Sequence, residues 1–500
     1  MSAYTTLERR FARQTALNDA IGILDWDSQT TMPDGAADGR AGQLATLRVL
    51  AHEAVTAPDM PDLLAAAEAE LAGGGGDDWR QANLREMRRH WVHAAAVPPA
   101  LVEASSRAVS AAEMIWRTAR ADNDFAALLP ALRTVVERQR EIAAVKAAAL
   151  GVDPYDALLD EYEPGGRAAR IDGLFDRLGT FLPDFTAAVL AHQAAQPAVL
   201  PLPGPFPVET QRQLGLALMR AVGFDFSRGR LDVSLHPFCG GATDDVRITT
   251  RYDEADATRA LMGVLHESGH ALYEQGRPRD WLAQPVGAAR SMSLHESQSL
   301  LIEMQAGRSR AVLTWLAPLL RQAFGGTGPA WETDNLYRLY TRVERSLIRV
   351  DADEVTYPAH VILRYRLERA MIGGDLDVAD LPGAWAEGMD RLVGVVPPDD
   401  RQGCLQDIHW SCGLWGYFPT YTLGAMTAAQ LFDAARRVQP DLEPALSRGD
   451  FSPLVGWLRR SVHGWGSLHD TDTLLTRATG SPLDADIYMG HLRRRYLGAD

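Results

Sequence analysis

A chain of 500 residues is long enough to bury about three quarters of the surface its extended form exposes, so its core needs no disulfide or metal as a staple. Hydrophobic residues at 46% and charged residues at 23% exclude wholesale disorder. The formal net charge of −15 excludes the basic footprint that binding to nucleic acid requires.

In chain order, the opening residues MSAYTTLERRFARQTALNDAIGILDWD carry charges throughout and lack the apolar stretch of a signal peptide, so Arg9-Arg10 is not a twin-arginine signal. No uncharged apolar run approaches the ~18 residues of a membrane helix, and the chain is expected to be cytoplasmic, with no membrane partner. The four glycines 73–76, before Asp77-Asp78, read as a surface connection between helices. Residues 98–122 and 126–150 place apolar side chains at spacings of three and four and predict two helices. Pro197, Pro201, Pro203, Pro205 and Pro207 make an extended segment that no helix crosses. It either divides an N-terminal helical lobe (1–196) from a second lobe (208–500) of one domain, 1–500, or is a loop within it. Strand-like alternation is confined to 232–235 and 246–250, so the fold class is mostly α with at most a small β-sheet. Cys239, Cys404 and Cys412 lack paired spacing and read as small buried or half-buried thiols.

Residues 261–276, LMGVLHESGHALYEQG, contain His266-Glu267-x-x-His270. On a helix, positions four apart lie about 40° apart in azimuth and one turn apart in height. Both imidazoles therefore project from one face and can grip one ion. Glu267, turned about 100° from His266, can reach an activated water without ligating the ion. Asp253, Asp256 or Thr258 can cap the helix start, Gly276 and Pro278 end it, and Leu261, Leu265 and Leu272 form its core stripe. Gly263 and Gly269 predict close approach of another backbone. The competing reading is two core or surface histidines with a solvated glutamate between them. A third ligand has to come from elsewhere. Glu296 is the first candidate, although Ser293-x-x-Glu296 is equally a capping box; Glu303 and Glu274 are weaker candidates.

Five segments then occur in order: Asp245-Val-Arg247-Ile-Thr249, His266-Glu267-Ser-Gly-His270, His295-Glu296-Ser297-Gln298, Ile348-Arg349-Val-Asp-Ala352-Asp353 and Gly403-Cys-Leu-Gln406-Asp407-Ile-His409-Trp410. Upstream stand Asp25-Trp26-Asp27, Met32-Pro33, Gly35-Ala36 and Arg40-Ala41. In these the chain resembles the carboxypeptidase Taq family of zinc metallocarboxypeptidases, from about residue 20 to the C-terminus. The resemblance implies Glu296 as third metal ligand and Glu267 as catalytic carboxylate. It also implies a two-lobed helical body with a long central groove, similar to neurolysin-type gluzincins, and a homodimer. Zinc is the expected ion for His266, His270 and Glu296, while Co2+ and Mn2+ suit the same ligands. The implied activity releases single C-terminal residues from peptides with a free C-terminus. Its near alternative is an endopeptidase or dipeptidyl carboxypeptidase at the same site, and its distant one a non-catalytic scaffold that binds metal or peptide.

Arg349 and Asp353 stand at i, i+4 spacing, either as a surface ion pair or as a guanidinium, steadied by Asp353, that forks onto the substrate carboxylate. Arg247 is a second candidate for that clamp or for closing the groove's end. His409 and Tyr421, with Tyr417 in reserve, are candidates to hold the oxyanion of the attacked carbonyl; a buried aromatic cluster and a ligand-orienting histidine are the competing readings. Tyr155, Asp160, Glu161 and Tyr162 also resemble the family and are assigned no chemistry.

Overall fold

Helices start where a capping side chain precedes an apolar stripe, and the first of them is typical. Ser2 accepts from the Thr5 amide and opens α1 (Ala3–Thr30) in the computed structural model, which describes residues 2–72 and 77–498. Next come α2 (Ala37–Thr56), α3 (Met60–Glu70) and α4 (Asp78–Ala95), the last capped by Asp77. These four helices close a small core of their own around Leu7, Phe11, Met60, Leu64 and Met87. The glycines of the predicted connection, 73–76, lie outside the described residues.

The two predicted helices are α5 (Pro99–Asp122) and α6 (Phe125–Leu150). They are followed by α7 (Pro154–Leu159) and α8 (Ala168–Ala194). Residues 197–207 are extended, as their prolines dictate. Asn335 fixes this strap, with its side chain bonded to both the amide and the carbonyl of Leu200 at 2.8 Å. The main core continues across the strap as one cluster of buried side chains reaching from Ala112 to Tyr496.

Beyond α9 (Val208–Val222) lie β1 (Gly229–Val233), β2 (Cys239–Ala242) and β3 (Asp245–Thr250). The sheet order is β1-β3-β2, with β1 parallel and β2 antiparallel to β3. Pairing of Gly229 with Val246 through Val233 with Thr250 starts β1 three residues before its apolar alternation begins. Gly240 and Gly241 hide β2 from any propensity reading.

The long helix α10 (Ala257–Gly276) packs on this sheet through Val264 and Ala271. Next is α11 (Met292–Leu300), which runs on as a π-helical turn over Leu301–Gly307. The remaining helices are α12 (Arg310–Ala323), α13 (Thr333–Tyr340), α14 (Tyr357–Gly373), α15 (Leu381–Val393), α16 (Pro419–Val438), α17 (Leu442–Leu446), α18 (Ser452–Ser461), α19 (Thr471–Thr479) and α20 (Ala485–Leu497). Among the described residues the protein is mostly α with one three-stranded sheet, as predicted. No described helix is long and apolar enough to cross a membrane.

Candidate metal centre

Asp256 caps α10 by accepting from the Thr258 amide, and Leu261, Leu265 and Leu272 are fully buried, so the predicted stripe anchors the helix. One face then carries His266 and His270. Gly269 sits where α11 crosses: a Cβ there would lie 2.3 Å from the Gln298 carbonyl oxygen, which accounts for a glycine inside the helix. Gly263 meets only the Thr250 hydroxyl at 4.0 Å, so close backbone approach explains Gly269 and not Gly263.

The cap of α11 is Ser291, whose hydroxyl accepts from the Leu294 amide at 3.2 Å. That removes the capping-box reading of Ser293 and Glu296. Glu296 instead turns toward α10, its Oε2 lying 3.4 Å from His270 Nε2 and 3.9 Å from His266 Nε2. Ligand atoms of His266, His270 and Glu296 all fall within 4.8 Å of one another. Two imidazole nitrogens and one carboxylate oxygen, converging with half-buried side chains, are a donor set that suits a divalent ion with a position left open. Helix α16 presses on the back of this cluster, where a Cβ on Gly424 would meet the Glu296 Cβ at 2.8 Å.

Glu303 and Glu274, the weaker ligand candidates, stand behind the histidines. Glu303 Oε2 lies 2.9 Å from His266 Nδ1 and also pairs with Arg308. Glu274 bonds His295 at 2.9 Å. Burial raises the Glu267 carboxyl to about 7, against the lowering influence of His266, which places a proton acceptor of near-neutral strength beside the cluster.

A second group of residues forms the neighbouring wall. Arg349 is buried in a short 3-10 turn, Arg349–Asp351, and not in a helix. The i, i+4 pair with Asp353 therefore does not form. Asp353 accepts from the amides of Val355 and Thr356 at the start of α14. Arg349 is held by Asp407, at 3.1 Å from Nε and 2.8 Å from Nη2, and by the Tyr357 hydroxyl at 3.2 Å from Nη1. These bonds use three of five N–H groups and leave one on each terminal nitrogen, a fork suited to a carboxylate. Asp407 in turn accepts from Arg364 Nε at 2.6 Å, and Gln406 Oε1 accepts from the Arg349 amide and Arg364 Nη2. Burial pushes the Asp407 carboxyl up, but Arg364 and Arg349 pull it further down, well below the carboxylate range. Sequence reading missed Asp407, Gln406 and Tyr357 as partners of Arg349, and Arg364 as the second cation on Asp407, although the Gln406-Asp407 motif was the available signal.

His409 Nε2 lies 3.3 Å from the Tyr421 hydroxyl, and the Arg349 guanidinium sits 5.0 Å from the Tyr421 ring centroid. The rings of Tyr417 and Tyr421 meet edge to face at 5.2 Å. Burial lowers His409 to about 4 and holds Tyr421 well above its ordinary value, so at neutral pH the imidazole is uncharged and the phenol protonated. Tyr357 joins this wall to the metal cluster: it lines, with His266, Glu296 and Glu303, a cavity of about 200 Å3. Arg247 is engaged elsewhere, on β3, bonded to Asp245 at 3.0 Å and laid over the Trp26 ring at 4.5 Å.

A mostly helical body with a His-Glu-x-x-His helix facing a half-buried glutamate defines a metal-dependent peptide hydrolase. Residues 6–496 match the family described as carboxypeptidase Taq (M32) metallopeptidase, and the chain belongs to that family. It is a metal-dependent carboxypeptidase. The chain is 39% identical to thermostable carboxypeptidase 1 of Thermus thermophilus, over 99% of this chain and 98% of the relative. Among solved structures it is similar to Trypanosoma cruzi metallocarboxypeptidase 1 (TM-score 0.96, 42% identity, 99% of both chains). It is also similar to the Pyrococcus furiosus carboxypeptidase (TM-score 0.92, 32% identity, 99% of both chains).

Proposed function

We propose that this enzyme removes single residues from the free C-termini of peptides at a zinc ion held by His266, His270 and Glu296. The observation that carries the reading is the convergence of those three side chains beside an arginine fork. When bound, the ion supplies Lewis acidity, activating water and polarising the scissile carbonyl; Co2+ or Mn2+ would do so at the same ligands. Glu267 accepts the proton of the attacking water and passes it to the leaving amine. His409 and Tyr421 steady the oxyanion, Tyr421 as a protonated phenol and His409 as a neutral ring. Arg349 binds the terminal carboxylate with its two remaining N–H groups, so only the last peptide bond reaches Glu267. Tyr417 supports the substrate beside Tyr421, and Arg247, braced by Asp245 and Trp26, closes the groove's end. The chain works as a single cytoplasmic domain of two helical lobes, 1–196 and 208–500, and as a homodimer.

Two measurements test this. A peptide with a free C-terminus is hydrolysed from that end one residue at a time, and its amidated twin is not; equal cleavage of both refutes the arginine clamp. Glu267→Gln retains full metal content and loses about 10³-fold or more in kcat, the scale of a general base. Wild-type turnover by that variant refutes the mechanism.

A further inference from the structure

We propose that His295 and Glu274 form a hydrogen-bond relay that sets the tautomer and orientation of His270 for metal binding, in an arm built differently from the one behind His266. The inference rests on the reading of His266, His270 and Glu296 as ligands. Both ligand imidazoles aim Nε2 at Glu296, which leaves Nδ1 of each ring to face the protein. For His266 that atom meets the Glu303 carboxylate, which can only accept, so the hydrogen sits on Nδ1 and the Nε2 lone pair is turned to the cluster. For His270 the partner is a second imidazole: Nδ1 of His270 lies 2.6 Å from Nδ1 of His295.

Only one hydrogen fits between two ring nitrogens. If His270 is to offer Nε2 to an ion, its own Nδ1 carries that hydrogen and His295 Nδ1 accepts it. The hydrogen of His295 then sits on Nε2, and there Glu274 Oε1 waits as an acceptor at 2.9 Å. The opposite assignment turns two lone pairs on each other at Glu274 and puts an N–H on the metal side of His270. Glu274 is anchored by Arg277 at 2.9 Å, and the Tyr273 ring lies beside the His295 ring, tilted, with centroids 5.5 Å apart. The parts share two helices. Glu274 lies one turn beyond His270 on α10, and His295 precedes Glu296 on α11, so forming the ligand cluster also aligns the relay. Partners behind a metal-bound histidine fix its tautomer, and losing them typically costs about 10- to 100-fold in metal affinity.

The test measures zinc affinity by competition with a chromophoric chelator, starting from metal-stripped full-length protein. His295→Phe keeps a flat ring and removes the acceptor; it weakens zinc binding by about 10- to 100-fold. Glu274→Ala weakens it in the same sense, Glu274→Gln restores affinity to within about threefold because an acceptor oxygen returns, and the double variant is no worse than His295→Phe alone. Zinc affinity of His295→Phe within about twofold of the parent overturns the relay. Should His295→Phe fail to fold, the Glu274 pair decides, because equal losses in Glu274→Ala and Glu274→Gln overturn it. A packing role alone would shift the thermal unfolding of the metal-free protein and leave zinc affinity unmoved. Failure of the parent to bind zinc at all refutes the ligand assignment instead, so the two failures are distinguishable.

Discussion

Gly269 and Gly424, in helices that carry the candidate site, and the glycines of α2 face different surroundings. A methyl group at Gly269 would collide with the Gln298 carbonyl at 2.3 Å and one at Gly424 with the Glu296 side chain at 2.8 Å, while nothing lies within 4 Å of Gly39 or Gly42 on α2. The ion pairs between α1 and α2 differ in the same way. Asp407 and its partners Arg349 and Arg364 have side-chain exposures of 9%, 6% and 0%, against 59% and 46% for Arg48 and Asp25. The distances around the cluster are therefore set by backbones and buried charges that have no room to move. The N-terminal helices have a separate small core and are tied to the rest through Asp19 to Thr243, Trp26 under Arg247 and, from α4, the buried pair of Glu86 with Arg290. The candidate site sits where helix crossings leave no space for a side chain, whereas the glycines of α2 face open space.

Substitutions on the two sides sharpen or break this contrast. The largest effect belongs to Asp407→Asn, which leaves two buried guanidinium groups without their counter-charge and costs about 3–5 kcal/mol; urea unfolding reads the loss, and KM for free C-termini rises as Arg349 loses its anchor. Its counterpart Arg48→Ala stays within about 0.5 kcal/mol of the parent. Next, Gly269→Ala destabilises by about 1–3 kcal/mol through overpacking against α11 and weakens metal binding, seen as lowered zinc occupancy after dialysis. A third effect depends on pH. Burial lowers His360 to about 3, so between pH 6.5 and 3 the unfolded chain takes up a proton that the native state does not. The stability that neutral His360 contributes is fully present above pH 6.5 and is lost as pH falls toward 3. His360→Leu should flatten the slope of unfolding free energy against pH by about 1.4 kcal/mol per unit in that window; an unchanged slope in urea titrations at pH 6, 5 and 4 refutes the assignment. The smallest effect is a gain. Gly42→Ala, in open space inside α2, stabilises by about 0.5–1 kcal/mol, and a fall in Tm would show that α2 is packed more closely than its surroundings indicate.

Some of this was legible from local pattern. The α10 stripe, its Asp256 cap and the shared face of His266 and His270 follow from helical period and capping chemistry, which act within a few residues. So do α5, α6 and the strap of prolines. The role of Glu296 was not decided locally, because Ser293 three residues before it made an equally good capping box; Ser291 took the cap only when Met292 became the first helical residue. For Arg349 the nearest acid in sequence was the wrong partner. Its turn is too short to bring Asp353 round, and the acid that reaches it is 58 residues away.

From the chain alone one obtains its helical class, the imidazole pair with Glu267 between, and the motifs that resemble one enzyme family, since these rest on spacing along a single helix or on residue identity. Which acid turns toward the histidines and why Gly269 and Gly424 are glycines were decided by the crossing of α10, α11 and α16, and which acid anchors Arg349 by the packing of the segment around Asp407 against α14. Contacts between helices distant in sequence depend on where each backbone lies, and no periodicity within one helix encodes that.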